Sequence, residues 1–497
     1  MNAVPHFGRW LLFSLAAGLH AATAPILLPV ANDPTVSFRL WFKVGAEDDP
    51  AGKEGLAAFT SAMLTDAATR TNSYEQILDR LFPLASSYNG APSMEMTVIT
   101  GRTHRDNLGD YYPLLIDAVR APAFKPEDLE RIKSRTLNFL ENTLRFASDE
   151  ELGKAVLYNQ IFRGTPYGHL TAGTIESVKS FTVEDVSSFY ARHFTRENVV
   201  IALGGGYDRS LVDQLKSDLA SLPSAPASAP PAVKPAPIHG RQVTLVEKKA
   251  DSTAISIGFP IDVLRGAKDW YALAIANSWL GEHRNAGGHL YHVIRETRGL
   301  NYGDYSYIEH YPNGGQRFLP PQNVPRRQQI FEIWIRPVPN EARHFALRAA
   351  LREFQKLVDD GLTAEAFELK RDFLKKYVLH YAATTSERLG YAIDDVFYGL
   401  KESHLAKFRR MMDELTLADV NAAIKRHWQT ANLQIVAVTN DAAAFADALA
   451  TDAPSPITYA NPKPEEILAE DKVISTYPLK IKRDDVKIVP VTELFVR

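Results

Sequence analysis

The chain contains no cysteine in its 497 residues. Disulfide bonds, thiolate zinc sites and cysteine nucleophiles are therefore excluded, because each of them needs a thiol. A strong excess of one charge is also missing, since 56 Lys and Arg residues stand against 59 Asp and Glu residues and the formal net charge is -3 at pH 7. This balance provides no basic surface for nucleic acid or anionic lipid, so a nucleic-acid-binding function is disfavoured.

Long apolar runs are lacking after the first residues, and no later stretch is long and apolar enough to span a bilayer. The N-terminus itself is typical of an export signal, because Arg9 precedes the apolar run Trp10 to Leu19 and Ala22-Thr23-Ala24 offers a small-residue cleavage site. We predict that residues 1–24 are a signal peptide, with an uncleaved anchor as the alternative. The mature protein is then expected to be periplasmic or secreted, with no membrane attachment.

What the chain does contain is enough apolar sequence, 45% of its residues, for two or more globular domains. The segment LPSAPASAPPAVKPAPIHG, residues 222–240, is rich in Pro, Ala and Ser and has no periodicity, which predicts an extended linker. We therefore predict an N-terminal domain at 25–221, a C-terminal domain at 241–450 and an extension at 451–497.

The two predicted domains are related by an internal duplication. FTVEDVSSFYARHFTRENVVIAL, which starts at Phe181, matches LTLADVNAAIKRHWQTANLQIVAV, which starts at Leu415. The residues shared at one constant offset include Thr182, Asp185, Val186, Arg192, His193, Asn198 and Ile201, which recur as Thr416, Asp419, Val420, Arg426, His427, Asn432 and Ile435. Each half is predicted to be an α+β unit, an antiparallel sheet with helices packed on one face.

The stretch LYHVIRETRGLNYGDYSY, residues 290–307, combines a helix pattern, a glycine and a strand pattern. Gly299 is expected to end the helix in a left-handed conformation, and the alternating tyrosines after it predict a strand. Arg295 lies in the last helical turn and Tyr302 just after the stop, so the chain reversal can bring both donors together at a carbonyl oxygen that becomes negative. The structural alternative is an arginine that interacts with the helix dipole and a half-buried tyrosine.

Three stretches together resemble the pitrilysin/insulinase family of metallopeptidases across nearly all of the mature length. They are VSFRLWFKVGAEDDPAGKEGLA, TPYGHLTAGTIESVKSFTVEDVSSFYARHF and LYHVIRETRGLNYGDYSY. The resemblance implies that each half is one α+β domain and that four such domains form a clamshell around a peptide chamber. This chain supplies two of the four, so a partner chain is expected to supply the others.

The resemblance also shows what this chain has lost. Active family members carry the zinc motif His-x-x-Glu-His on the helix that follows Gly55-Leu56, and the corresponding residues here are Ala58, Ser61 and Ala62. The third family ligand falls near Phe139, and the nearby Glu141 has no histidine partners. We therefore expect no cofactor in this chain and no peptide cleavage by this chain by itself; zinc is expected on the partner.

Arg295 and Tyr302 match the family residues that hold the scissile carbonyl from the second half of the clamshell. The resemblance therefore implies a zinc-free subunit of a two-chain secreted metalloendopeptidase, which supplies these two donors in trans to a zinc-bearing family member. The alternative is an inactive peptide-binding or structural scaffold with the same fold. An enzyme with a different active site is disfavoured, because the chain shows no nucleophile, phosphate loop or metal constellation.

Other polar features have less specific interpretations. His283, His289 and His292 suggest a metal site, but an ordinary position lining the chamber or facing solvent is favoured. Glu95 to Ile99 is expected to form an edge strand, which either binds peptide backbone by β-addition or has no such role. The long loop 310–328 is predicted to gate the chamber, to touch the partner or to be mobile.

Overall fold

The computed structural model describes residues 23–226 and 229–497, so the predicted signal peptide 1–24 lies almost entirely outside the described residues. The described chain contains one mixed sheet in each half, and helices pack against both sheets. The prediction of two α+β halves is confirmed.

The strands of the N-terminal half are β1 (Ile26–Pro29), β2 (Thr35–Phe42), β3 (Ser87–Pro92), β4 (Thr97–His104) and β5 (Val199–Gly205). Its helices are α1 (Leu56–Thr65), α2 (Tyr74–Leu81), α3 (Leu108–Arg120), α4 (Pro126–Asn138), α5 (Leu144–Phe146), α6 (Asp149–Ile161), α7 (Ile175–Lys179), α8 (Val183–His193) and α9 (Arg209–Leu219). A π-helix, Phe139–Thr143, connects α4 to α5.

The strands of the C-terminal half are β6 (Arg241–Glu247), β7 (Ser252–Ile261), β8 (Asp304–Tyr307), β9 (Gln329–Pro339), β10 (Leu433–Thr439) and β11 (Val486–Pro490). Its helices are α10 (Lys268–Gly281), α11 (Arg343–Asp360), α12 (Ala364–Tyr377), α13 (Thr385–Phe397), α14 (His404–Glu414), α15 (Leu417–His427), α16 (Ala442–Ala450) and α17 (Glu465–Ser475). A second π-helix spans Tyr291–Glu296.

Both sheets are mixed, whereas the sequence pattern predicted antiparallel ones. The strand order is β1-β5-β2-β4-β3 in the first sheet and β11-β6-β10-β7-β9-β8 in the second. Most neighbouring strands are antiparallel, but β1 runs parallel to β5, and β6 runs parallel to both β10 and β11. The reason is that the first strand of each half pairs with strands from the end of that half that run in the same direction, a long-range pairing that local periodicity does not report.

The duplication is visible in the hydrogen bonds that begin α8 and α15. Thr182 Oγ1 accepts from the Asp185 amide at 3.1 Å, and Thr416 Oγ1 accepts from the Asp419 amide at 3.2 Å. Each aspartate returns a bond to the threonine amide, which completes a capping box in both halves. Lys53 and Lys268 then pair with Asp185 and Asp419 at 2.8 and 2.6 Å. The repeated residues therefore fix the same helix start in each half.

Each half also places a helix on the sheet of the other half. Helix α6 packs against β7 and β10, and α13 packs against β1, β2 and β5. Trp41 on β2 turns away from the main core and joins Leu389 and Ile393 of α13 in a small apolar cluster. The second face of each sheet is thus partly covered, in addition to the helix-packed face that the sequence predicted.

Arg327, in the loop between β8 and β9, joins the two halves and the linker. Its guanidinium pairs with Glu47 at 2.5 Å and with Glu95, and it donates to the Pro231 carbonyl at 3.1 Å. Two carboxylates of the N-terminal half therefore share one cation of the C-terminal half. This gives the loop 310–328 a structural role as a bridge between the halves, while gating, partner contact and mobility stay predictions.

We expect the free energy of unfolding to decrease as the pH rises from about 4.5 to about 8, because of Glu47. Burial, followed by the charge of Glu95, raises the pKa of Glu47 to about 8 against the opposing effect of Arg327. A group whose pKa is higher in the folded state stabilises that state below its unfolded pKa and loses this contribution as the pH passes the folded pKa. Urea unfolding at several pH values in this window measures the decrease.

The matched variants are Glu47→Gln, which removes the titrating group, and Glu75→Gln on the exposed face of α2. Glu47→Gln should flatten the decrease, whereas Glu75→Gln should keep the wild-type slope. Parallel pH profiles for wild type and Glu47→Gln would show that Glu47 does not titrate in this range.

The predicted extension 451–497 completes the C-terminal sheet and then crosses to the N-terminal half. Strand β11 pairs in parallel with β6. Beyond it, the Phe495 carbonyl accepts from the Ile175 amide at 3.0 Å and the Val496 carbonyl accepts from the Glu176 amide at 2.9 Å. The extension is therefore part of the packed fold. None of the helices in the described ranges is long and apolar enough to cross a membrane.

Candidate functional site

The helix that carries Arg295 is a π-helix, a rare form that often marks functional sites. The helix ends at Glu296, and in the turn that follows Gly299 has a φ of 70°, the left-handed conformation that the sequence predicted. The Gly299 amide donates to the Arg295 carbonyl at 2.8 Å. The neighbouring Arg298 is buried and pairs with Glu470 and Asp471, both at 2.8 Å. Arg298 therefore anchors this helix to α17, and Arg295 is not needed for that purpose.

The turn that carries Tyr302 is held by the side chain of Asn301, which is 5% exposed. Its amide nitrogen donates to Asp304 at 2.8 Å and to the Arg336 carbonyl at 3.1 Å, and its oxygen accepts from the Gly303 amide at 3.2 Å. Burial raises the pKa of Asp304 well above its usual range. Tyr302 itself is 77% exposed. The hydrogen bonds of the buried Asn301 side chain therefore hold the turn in place, while the Tyr302 side chain is exposed to solvent.

The structure brings Arg295 and Tyr302 together. The Arg295 guanidinium carbon lies 5.4 Å from the centroid of the Tyr302 ring, and both side chains line an open cleft of about 520 Å³. Glu296 pairs with His292 at 2.8 Å, and within the described ranges Arg295 takes part in no ion pair. The exposure of Tyr302 does not fit the half-buried tyrosine of the structural alternative. Both donors are free to bind a molecule in the cleft.

Both halves of the chain form this cleft. Arg336 of β9 pairs with Glu150 of α6 at 2.7 Å, and both residues line the cleft beside Arg295. Arg336 and Asn301 were not identified from the sequence. A general turn signal, an Asn shortly before a Gly, was available for Asn301. No local signal marks Arg336, which reaches the cleft only through the long-range pairing of β8 with β9.

The residues at the zinc-motif positions do not fit a metal ion. Ala58 and Ala62 carry no ligating atom, and Ser61 is 1% exposed with its Oγ unpaired among the described residues. Glu141 lies on the π-helix Phe139–Thr143 and pairs with Lys179 at 3.3 Å. In residues 23–226 and 229–497, no group of three or more His, Cys, Asp or Glu side chains is arranged to hold a metal.

Helix α1 keeps its place because other residues support it. Asp49 accepts from the Gly55 and Ala57 amides at 2.6 and 2.7 Å, which satisfies free donors at the start of the helix. On the opposite side Gly90 of β3 packs closely, since a Cβ on Gly90 would lie 2.1 Å from Ser61 Oγ. Helix α1 is therefore part of the core, and β3 packs against Ser61 at the zinc-motif position.

This packing predicts that Ser61→Glu lowers the free energy of unfolding by about 1–3 kcal/mol, because the longer side chain must displace β3 at Gly90. Ser61→Ala is the matched control and should be neutral or slightly stabilising, because it removes a buried hydroxyl without a partner in the described chain. Urea unfolding of the two variants makes the comparison. Equal midpoints would contradict the close packing of Ser61 against β3.

The three histidines have separate partners. His283 contacts the Tyr307 hydroxyl at 2.8 Å and the Arg317 carbonyl at 2.9 Å. His289 pairs with Glu353 at 2.7 Å, and His292 pairs with Glu296 at 2.8 Å. Each imidazole therefore has its own hydrogen-bond partner. These contacts favour ordinary structural positions for the three histidines over a shared metal site.

The expected edge strand at Glu95 to Ile99 is wrong in position. Strand β4 begins at Thr97 and lies between β2 and β3, so the edge strands of this sheet are β3 and β1. Glu95 precedes β4 and is bound by Arg327 and by the Tyr167 hydroxyl. The edge strand was assigned wrongly because β3, with the sequence SYNGAP, lacks the alternation of apolar and polar residues that is typical of a strand.

Comparison with protein families gives two matches. Residues 26–175 match the model of the insulinase family, peptidase family M16, and residues 180–374 match the model of the peptidase M16 inactive domain. The first matched range lies within the N-terminal half, whereas the second begins at residue 180 in that half and extends through the linker into the C-terminal half, where it includes Arg295 and Tyr302.

Individual relatives cover most of the chain at low identity. An uncharacterized zinc protease of Mycobacterium tuberculosis is 25% identical over 83% of this chain and 89% of its own length. A non-peptidase homolog of Helicobacter pylori is 22% identical over 82% of this chain and 89% of its own. Among solved structures, a peptidase M16 inactive domain from Pseudomonas fluorescens has a TM-score of 0.74 at 23% identity and covers 84% of this chain and 98% of that chain. This last similarity concerns the fold.

Proposed function

Because the chain belongs to the insulinase family of peptidases, family M16, we propose that it is the zinc-free subunit of a two-chain metallopeptidase. In this proposal Arg295 and Tyr302 bind the carbonyl oxygen of the peptide bond that the assembly cleaves. The zinc-bearing partner, a second chain of the family, would supply the attacking water. The two chains would together form the four-domain clamshell.

The observation that carries the proposal is the state of the two donors. Arg295 and Tyr302 lie together at an open cleft and are bound by no carboxylate in the described ranges, whereas Ala58, Ser61 and Ala62 have no means to hold a metal. A guanidinium and a phenol that line the same cleft are suited to an oxygen that gains negative charge in acyl transfer. Structural demands do not require this pair, because Arg298 and Asn301 already hold the helix and the turn.

A second candidate is a peptide-binding or structural scaffold without a role in catalysis. The altered zinc motif favours it, and the relatives include a protein named as a non-peptidase homolog. Under this hypothesis Arg295 and Tyr302 would matter no more for function than their exposed neighbours. The two hypotheses therefore differ in whether the partner bears zinc and in whether substitution of Arg295 or Tyr302 lowers peptide cleavage.

The site of action in this proposal is the periplasm or the exterior of the cell. The support is the sequence pattern of residues 1–24, with its single arginine, apolar run and small-residue cleavage site.

Affinity capture of the tagged full-length chain from its native host tests the proposal. We expect a second M16 chain with an intact zinc motif to co-purify, and the eluate to contain zinc and to cleave a quenched peptide. Capture of the chain without zinc or cleavage would contradict the two-chain peptidase and support the scaffold.

A further inference from the structure

A second cavity, of about 80 Å³, lies inside the C-terminal half between α10, α12, α13 and α14. It shares no lining residue with the cleft of Arg295 and Tyr302. This volume is several times that needed to hold one water molecule, so the cavity has room for a small chain of atoms. Its walls are mostly aromatic, with rings from Trp270, Phe318, Tyr377, Tyr381, Tyr391 and Phe408.

Glu282 lines this cavity in an unusual electrostatic position. It directly follows Gly281, the last residue of α10, where the helix dipole disfavours a negative charge. Its carboxyl group accepts from Ser278 at 2.8 Å, from Asn285 at 3.1 Å and from the Tyr381 hydroxyl, but it forms no ion pair within the described ranges. Lys370 attracts it from a distance, while the Lys370 ammonium donates to the Gly287 carbonyl at 2.7 Å.

Several polar atoms on the wall also lack partners. The Trp270 Nε1, the Tyr391 hydroxyl and the Asn277 Oδ1 are buried and make no hydrogen bond to any described residue. Trp270 is 5% exposed and Tyr391 2% exposed, so solvent does not reach most of either side chain. Buried polar groups are normally bonded, so this set of atoms on one cavity wall leaves hydrogen-bonding capacity for water or a polar ligand.

The remaining charges on the wall are largely compensated. Arg265 pairs with Glu309 at 2.6 Å and with Asp394 at 3.1 Å, and burial lowers the pKa of His283 to about 4. Arg284 lies over the Phe318 ring at 4.5 Å and is bonded to the Gly315 carbonyl, so it sits at the rim. Burial raises the pKa of Glu282, because its charged form has no cation beside it, and a bound cation would stabilise the carboxylate among aromatic rings that attract cations.

We propose that this cavity binds an alkylammonium group, with the ammonium at Glu282 and the alkyl chain along the aromatic rings. The Tyr391 hydroxyl and Asn277 Oδ1 accept from the ammonium, and the bound cation compensates the carboxylate at the end of α10. Either a lysine side chain of a peptide or a free small amine carries such a group. The proposal is independent of the peptidase function, because the cavity is separate from the cleft of Arg295.

Isothermal titration calorimetry on the full chain tests the ammonium site with two pairs of compounds. Each pair contains an ammonium compound and a neutral counterpart: n-butylammonium with n-butanol, and N-acetyl-lysine amide with N-acetyl-norleucine amide. We expect both ammonium compounds to bind with a Kd on the order of 1 mM, the range for so few atoms. The neutral counterparts should bind at least about tenfold more weakly, because they leave Glu282 without a charged partner.

A peptide lysine and a free amine differ in whether they can accept a hydrogen bond from Trp270 Nε1. The amide carbonyl of N-acetyl-lysine amide can accept this bond, whereas n-butylammonium has no acceptor. Tighter binding of N-acetyl-lysine amide supports a peptide lysine, and tighter binding of n-butylammonium supports a free amine. Both results keep the ammonium site. Equal binding of charged and neutral compounds, or no binding of either ammonium compound, overturns it.

Glu282→Gln should weaken ammonium binding by at least about tenfold, and the exposed Glu402→Gln should leave it unchanged. Glu282→Gln should also raise the unfolding temperature of the ligand-free chain, because it removes a desolvated charge. If Glu282→Gln does not fold, Tyr391→Phe applies the same test, since it removes only a hydroxyl without a described partner. Unchanged affinity in the variant that folds overturns the proposal.

Discussion

Arg295→Ala is expected to lower the turnover of the reconstituted two-chain peptidase by about 10²–10³-fold, the usual cost of losing one donor to a developing oxyanion. Assembly should be unaffected, because Arg295 forms no ion pair in the described ranges and the helix is anchored by Arg298. Initial rates on a quenched peptide, with complex formation followed by size-exclusion chromatography, measure both properties.

The matched control is Arg409→Ala, an exposed arginine on α14 of the same half, which should retain full activity. Tyr302→Phe provides an independent variant, because it removes only the hydroxyl of a side chain that is 77% exposed and so should not affect stability. If Arg295→Ala and Arg409→Ala gave the same turnover in an intact complex, Arg295 would have no role as a carbonyl donor.

Arg348→Met is expected to lower the free energy of unfolding by about 3 kcal/mol, because it leaves several acceptor oxygens without the guanidinium that donates to them. Arg348 is 0% exposed. Its guanidinium donates to the carbonyls of Asp452, Ala453, Ser475 and Tyr477, and to the side chains of Asp452 and Ser455, at 2.6–3.0 Å. These acceptors lie in the extension 451–497, so one side chain of α11 holds that extension to the domain.

Chemical unfolding, followed by tryptophan fluorescence, measures the loss. Arg410→Met is the control, since Arg410 is exposed and pairs only with Glu402 and Glu414 at the surface, and its midpoint should equal that of wild type. A wild-type midpoint for Arg348→Met would show that the extension is held by other contacts.

The features that the sequence predicted well are those set by local chemistry. The repeated Thr–Asp pairs, which prove to cap α8 and α15, the glycine stop at Gly299 and the strand after it depend on residues within a few positions of each other. Their side-chain spacing is therefore visible in the sequence itself. The same holds for the proximity of Arg295 and Tyr302, which follows from a single reversal of the chain.

The features that were missed depend on distant parts of the chain. The parallel pairing of β1 with β5 joins residues at the two ends of the N-terminal half, and Arg336 reaches the cleft through the pairing of β8 with β9. Arg348 has the pattern of an ordinary helix residue and is buried only because the extension folds over it. Such contacts involve sequence separations that periodicity and composition do not encode.

The measurement that tests the central claim most directly is the cleavage of a quenched peptide by this chain, by its zinc-bearing partner and by the two together, with and without a chelator. The account predicts cleavage in the mixture only, and its loss when zinc is removed. Equal cleavage by the partner by itself and by the mixture would contradict the role of Arg295 and Tyr302 in trans.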